Sequence, residues 1–225
     1  MQSSDAMNPK GKRKRVVIDP SDEERLHRAL EHWAAGGDFV ALRTRAFLLL
    51  LWDGSVRTSG ALAMNAEDVV QDPRARRVTV LRRVVQRARD ESDHRQRSFV
   101  VSARAQEAIA EYLRAARCGG WLPTDRLEGP LFLSSVLPGS GQRLSKRTAI
   151  HWWETFQRDH ARDCSRTYTL DDLVYTGRLA YVAAADGNTE SLSDHSGISR
   201  RMAAEYGLGS NVTPEDVMAR LDRRR

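Results

Sequence analysis

Cysteine is the first scarcity: Cys118 and Cys164 are the whole supply in 225 residues, and they lie far apart. Two such thiols make neither a disulfide framework nor a zinc site, and they fit a reducing cytoplasm. Long apolar runs are missing too. The strongest, Phe47 to Trp52, is far shorter than the ~18–20 residues a membrane span needs. The first fifteen residues carry charges with no apolar segment behind them, so no secretory leader is expected. Acidic residues are frequent but sit at helix starts and in turns, where capping accounts for them. Neither a metal site nor a cofactor is expected. Aromatic residues make up only 7% of the chain, and no aromatic-interleaved sheet of the kind that stacks single-stranded bases is visible. There is no internal repeat.

Lysine is also rare. Lys10, Lys12, Lys14 and Lys146 are all there are, and arginine supplies the rest of the 36 basic side chains. Such a bias also arises from a GC-rich genome, so the clustering of the arginines says more than their number. The net charge of +6 and a pI near 9.7 point to a polyanionic partner, most simply nucleic acid. An apolar content of 40% and a charged content of 29% fit a soluble globular chain. The length suits one domain, or one and a fraction, with ample chain for a core.

The stretch Phe47 to Val69, FLLLLWDGSVRTSGALAMNAEDV, organises the rest. An apolar helical run breaks at Asp53-Gly54-Ser55 and resumes after Arg57. That spacing holds a cation at the end of a buried helix, where a guanidinium meets a phosphate with bidentate geometry. A surface arginine in a helix–helix turn is the plainer alternative.

Residues 1–19 read as a basic flexible tail, in which Lys10, Lys12, Arg13, Lys14 and Arg15 suit the tracking of a phosphate backbone. Ser21 reads as an N-cap completed by Glu24, opening a helix to about Ala35. A second helix runs from about Phe39 to Trp52, and a third from Thr58 to Met64. After Asp72-Pro73 the apolar period changes from 3.6 to 2, so 77–81 and 96–101 read as the strands of a small basic antiparallel ribbon. Ser102 caps a helix from Ala103 to about Ala116. Leu131-Phe132-Leu133 follows a Gly/Pro-rich loop, and Ser145 caps a further helix. Later helices are expected around 173–185 and 199–206, and from Thr213. The fold class is mainly α with a small antiparallel β ribbon (α+β).

The order of these elements, with several local patterns, resembles the catalytic domain of the tyrosine recombinase (phage integrase) family. RTSGALAMNAEDV at Arg57 to Val69 is similar to that family's first-arginine motif. The ribbon, Leu131-Phe132 and the helix start at Leu144-Ser145 follow in the family's order. LSDHSGIS at 192–199 resembles its LGHSSIS box, and Tyr206 stands eleven residues after His195. The resemblance covers about residues 38–207. It divides the chain into a tail (1–19), a recombinase-like catalytic and DNA-binding domain (20–207) and a C-terminal linker with a helix (208–225).

The resemblance implies metal-independent chemistry. A tyrosine phenoxide attacks a DNA phosphodiester to give a 3′-phosphotyrosyl bond, and two arginines neutralise the charge on the phosphoryl oxygens. A ribbon lysine and a histidine move the protons. Carried over, Arg57 is the first arginine, His195 the box histidine and Tyr206 the nucleophile. For the HxxR box two registers compete within TYTLDDLVYTGRLAYVAAADG. One puts Asp171 and Val174 in the places of histidine and arginine. The other uses Tyr175 and Arg178, and aligns Tyr181 with an aromatic core position, which favours it. The ribbon lysine is missing, with Arg82, Arg83, Arg87 and Arg89 in its place. Arginine holds phosphate but is a poor proton donor. Arg143, Lys146 and Arg147 are further candidate DNA contacts.

Residues 1–37 have room for one helix and a tail, so the family's clamp domain is expected from a partner or not at all. The implied partner is double-stranded DNA, with self-association on DNA through the C-terminal helix; no membrane is involved. The implied location is cytoplasmic and nucleoid-associated. Two functions remain open: a DNA-binding accessory or regulatory factor on a degenerate recombinase scaffold, and an active site-specific recombinase. An unrelated basic helical protein binding RNA or a protein is a third.

Overall fold

The computed structural model describes residues 15–71, 79–84, 96–122, 128–135 and 141–185. Its elements, in order, are α1 (Pro20–Ala34), α2 (Phe39–Trp52), α3 (Thr58–Ala63), a 3-10 turn (Ala66–Asp68), β1 (Val69–Gln71), β2 (Thr79–Val84), β3 (Gln96–Val100), α4 (Ala103–Cys118), α5 (Lys146–His160) and α6 (Leu170–Ala184). The architecture is mostly helical.

Helix α2 is the axis. It is apolar on every side, and each residue from Ala41 to Trp52 is buried. A helix without a polar face has no stable place at a surface, so the others gather round it. It contacts α1, α3, α4 and α6. Asp38 caps its first turn by accepting from the Val40 and Ala41 amides. Two arginines are buried in it. Arg45 pairs with Glu31 at 2.8 Å and Glu111 at 2.6 Å. Among the described residues no carboxylate forms a salt bridge with Arg43: its guanidinium lies 3.3 Å from the centroid of the Trp152 ring and donates to the Leu133 carbonyl at 2.8 Å. Burial pulls Arg43 down from its ordinary pKa, because a desolvated cation is disfavoured.

Helix α2 ends abruptly. A Cβ on Gly54 would lie 2.5 Å from the Leu50 carbonyl oxygen, and the buried Ser55 turns the chain in the left-handed region at φ 53°. Asp53, just past the last turn, accepts from the Ser102 hydroxyl at the head of α4, tying the two helix ends together. Helix α6 crosses this end of α2 in backbone contact. At Gly177 an added Cβ would sit 2.0 Å from the Trp52 carbonyl oxygen, so only glycine permits the approach.

The three strands pair in the order β1-β2-β3, antiparallel throughout, with Arg82 opposite Ser98 and Arg83 opposite Arg97. Leu131–Leu133 forms no strand of its own; isolated bridges join Asn65 to Pro130 and Leu133 to Arg143.

Some local expectations need correction. Asp19, not Ser21, caps α1: its carboxylate accepts the Ser21 amide at 2.9 Å, and Pro20 stands in the first turn, where a missing amide costs nothing. Glu24 pairs instead with Arg28. Helix α6 begins at Leu170, three residues before the expected start, because Thr169 and Asp172 form a reciprocal capping box. Residues 15–19, assigned to the tail by sequence, are held against α6: the Val16 amide donates to Asp172 Oδ1 at 2.8 Å, and the Ile18 amide to Thr176 Oγ1 at 2.9 Å. The helices expected at 199–206 and from Thr213 lie outside the described residues.

Candidate functional site

Three chain segments meet where α2 breaks. Arg57 is the N-cap residue of α3, in extended backbone (φ −65°, ψ 144°), and is half-buried. Lys146 opens α5, placed by Ser145, whose hydroxyl accepts the Thr148 amide. Helix α6 contributes Asp171, Val174, Tyr175 and Arg178, and the extended segment before α1 contributes Arg15. Together with Thr58 and Ser59 these residues line one cavity of about 390 Å³.

Arg178 forms the back of this cleft. It is 3% exposed, and its Nη2 reaches the carbonyl of Ser55, the left-handed residue at the break, at 3.4 Å. The contact depends on Gly177, since any side chain there would hold α6 away from Trp52. The break that positions Arg57 thus also receives Arg178, and the two arginines share a cavity because α2 stops at Asp53. Among the lining residues, Arg15, Arg57, Lys146 and Arg178 face a single carboxylate, Asp171. Such a cleft attracts an anion, and guanidinium groups suit the tetrahedral oxygens of a phosphate.

The two HxxR registers do not compete in space. Asp171, Val174, Tyr175 and Arg178 are spaced i, i+3, i+4 and i+7, so all four project from one face of α6 into the same cavity. Val174 is 4% exposed and Tyr175 half-buried. Only the later register brings a cation. Tyr181 is completely buried, as expected of a core aromatic.

The remaining candidates divide. Arg143 is absent from the cleft lining: its Nη1 donates to the carbonyls of Leu62 and Met64, both at 2.7 Å, clasping the end of α3. Arg147 is exposed on the first turn of α5 and does not line the cavity. Arg82 and Arg83 lie on β2. Lys10, Lys12, Arg13, Lys14, Arg87, Arg89, His195 and Tyr206 lie outside the described residues. Sequence reasoning missed the cleft position of Arg15. Its placement depends on hydrogen bonds to residues more than 150 positions away, which no local pattern announces.

Other hollows lie among the described residues. One of about 230 Å³ shares Thr58, Lys146 and Asp171 with the cationic cleft but is otherwise walled by Ile150, Trp153, Glu154, Tyr168, Thr169 and Leu170. Another, about 460 Å³, lies between α1, α2 and α4, away from these residues. Among the described residues no cluster of His, Cys, Asp and Glu is arranged to hold a metal ion, and no helix is long and apolar enough to cross a membrane.

No protein-family model matches the sequence, and no curated protein matches it. Solved structures do. The XerH site-specific recombinase bound to its palindromic difH substrate, in a post-cleavage complex, superposes with a TM-score of 0.64 at 12% identity over 90% of this chain. The Tn1549 transposon integrase in complex with transposon right-end DNA gives 0.62 at 15% identity over 95%. The XerA recombinase gives 0.59 at 16% identity over 93%. This chain spans 52% of the XerH chain, 67% of the integrase and 65% of XerA. At such identities the likeness establishes the fold, that of tyrosine recombinases and integrases.

Proposed function

We propose that this protein binds duplex DNA through the cleft between α3, α5 and α6, seating a backbone phosphate between Arg57 and Arg178. It acts as an accessory or regulatory DNA-binding factor on a recombinase-type scaffold. One observation carries the reading: Arg57 and Arg178, which lie 121 positions apart in the chain, line the same cavity together with Lys146 and Arg15. Contacts of this kind bind the sugar-phosphate rail without reading base sequence.

Loss of strand cleavage is part of this reading. Where the resemblance calls for a proton-donating ribbon lysine, the chain has arginines, whose pKa is too high to give up a proton at neutral pH. Where it calls for histidine on α6, the cleft offers Asp171 or Tyr175. The protein grips one side of the duplex, or a partner closes round the other; self-association uses the C-terminal segment from Thr213. A nucleoid-associated location follows from binding DNA.

The alternative, an active recombinase, is favoured by the pairing of the two arginines in one cleft, with Tyr206 as its nucleophile and His195 as its box histidine. A nicked suicide duplex separates the two. The proposal expects no covalent protein–DNA band; a band that disappears in Tyr206→Phe would establish the alternative. For binding itself, Arg57→Ala is expected to weaken affinity about tenfold, equally for unrelated duplexes. It should also flatten the slope of log K against log salt by about 0.9. Unchanged affinity and slope would refute phosphate binding at this cleft.

A further inference from the structure

We infer that Arg15 is a positioned phosphate contact of the cleft, delivered by a strap that α6 itself holds in place. The inference rests on the duplex-binding reading above.

The strap is the extended segment from Arg15 to Asp19. Two main-chain amides anchor it, at Val16 and Ile18, and both acceptors belong to α6: Asp172 Oδ1 at 2.8 Å and Thr176 Oγ1 at 2.9 Å. Those acceptors are spaced i, i+4, so they stand one above the other along the helix and hold two alternate residues of an extended chain. Ile18 is 1% exposed and seals the strap into the core, while Val17 between the anchors is 51% exposed. Asp172 is 2% exposed, and its other oxygen accepts the amide and hydroxyl of Thr169, so its position is fixed by the helix cap. Thr176 is 4% exposed and its hydroxyl donates back to the Asp172 carbonyl, which leaves its oxygen facing the strap. Arg15, one residue before the first anchor, is exposed and lines the same cavity as Arg57, Lys146 and Arg178.

A flexible cation loses conformational entropy when it binds a phosphate. One held beside the first anchor loses less, so Arg15 contributes more than a tail residue of equal charge. The strap also explains how a cleft with Val174 on its α6 face gathers positive charge from another segment. Asp172 and Thr176 point at the strap's amides, so their effect on DNA passes through Arg15. They are positioning residues.

The test is a thermodynamic cycle in the full-length protein, read as duplex affinity against salt. Arg15→Ala is expected to weaken binding about tenfold and to lower the salt slope by about 0.9, with Arg15→Lys keeping the slope. Thr176→Val removes the Ile18 anchor and should weaken binding less than Arg15→Ala does; Thr176→Ser should behave as wild type. In an Arg15→Ala background, Thr176→Val should add nothing. Full additivity of the two would overturn the positioning role. Wild-type affinity in Arg15→Ala, with Arg57→Ala still impaired, would overturn this inference and leave the binding reading standing. Wild-type affinity in both single variants would bring down the reading itself.

Discussion

Gly177→Ala tests the packing that assembles the cleft, because two opposed effects meet at that position. In an ordinary helix interior the exchange stabilises, by about 1 kcal/mol of helix propensity. Here the new Cβ would lie 2.0 Å from the Trp52 carbonyl oxygen and 2.9 Å from its carbonyl carbon. Ordinary contact begins near 3.4 Å, so α6 must retreat by more than an ångström. The atom it meets is backbone, next to the left-handed Ser55, and cannot swing aside as a side chain does. Overpacking of a close-packed interior costs typically ~1–3 kcal/mol, and a backbone overlap belongs at the upper end. Set against the propensity gain, the net loss is about 2 kcal/mol. Urea denaturation read by circular dichroism measures it. Duplex affinity should fall as well under conditions where the variant remains folded, since Arg178 is carried away from the Ser55 carbonyl. A variant as stable as wild type, or more stable, would show that α6 and α2 do not touch at this point.

Other outcomes bear on separate parts of the fold. Leu49→Ala, at a completely buried position of α2, should cost about 2–5 kcal/mol in the same assay. Burial pushes the Tyr112 hydroxyl up to about 12, so the folded state keeps its proton where the unfolded chain loses it. That contribution, roughly 2–3 kcal/mol, is intact below pH about 10 and lost as the pH rises toward about 12. Tyr112→Phe should flatten this alkaline limb of the stability profile, and an unaltered limb would count against the burial. Desolvation alone would raise the Asp22 carboxyl, but hydrogen bonds from Ser165, Tyr168 and Arg25 outweigh it and hold it below its ordinary value. Its stabilisation is therefore present above the unfolded pKa near 3.9 and lost as the pH falls through the folded value; Asp22→Asn should blunt acid unfolding. Asp171→Asn removes the one carboxylate among the described residues that line the cleft and should tighten duplex binding about fivefold. Weaker binding would mean that Asp171 itself contacts the nucleic acid.

Much of the helical framework is legible in the residues. Helix α2 coincides with its expected span, because an apolar run between Asp38 and Asp53-Gly54 leaves no other place to start or stop. Ser102 and Ser145 cap α4 and α5 as anticipated. The start of α1 is ambiguous in sequence because Ser21-Asp22-Glu23-Glu24 imitates a capping box, while Asp19-Pro20 is the stronger signal. Of the site, Arg57 is legible from the break before it. The register of the α6 box is not, because positions i, i+3, i+4 and i+7 share a helix face, and only neighbouring segments show where that face looks. The strap has no local signature at all: amides at Val16 and Ile18 are identical to any others until Asp172 and Thr176 arrive from the far end of the chain.

The most direct test is a structure of the protein with a short duplex. One backbone phosphate is expected to place oxygens within hydrogen-bond distance, about 3 Å, of both the Arg57 and Arg178 guanidiniums. A duplex bound on another face, with no phosphate in this cleft, would contradict it.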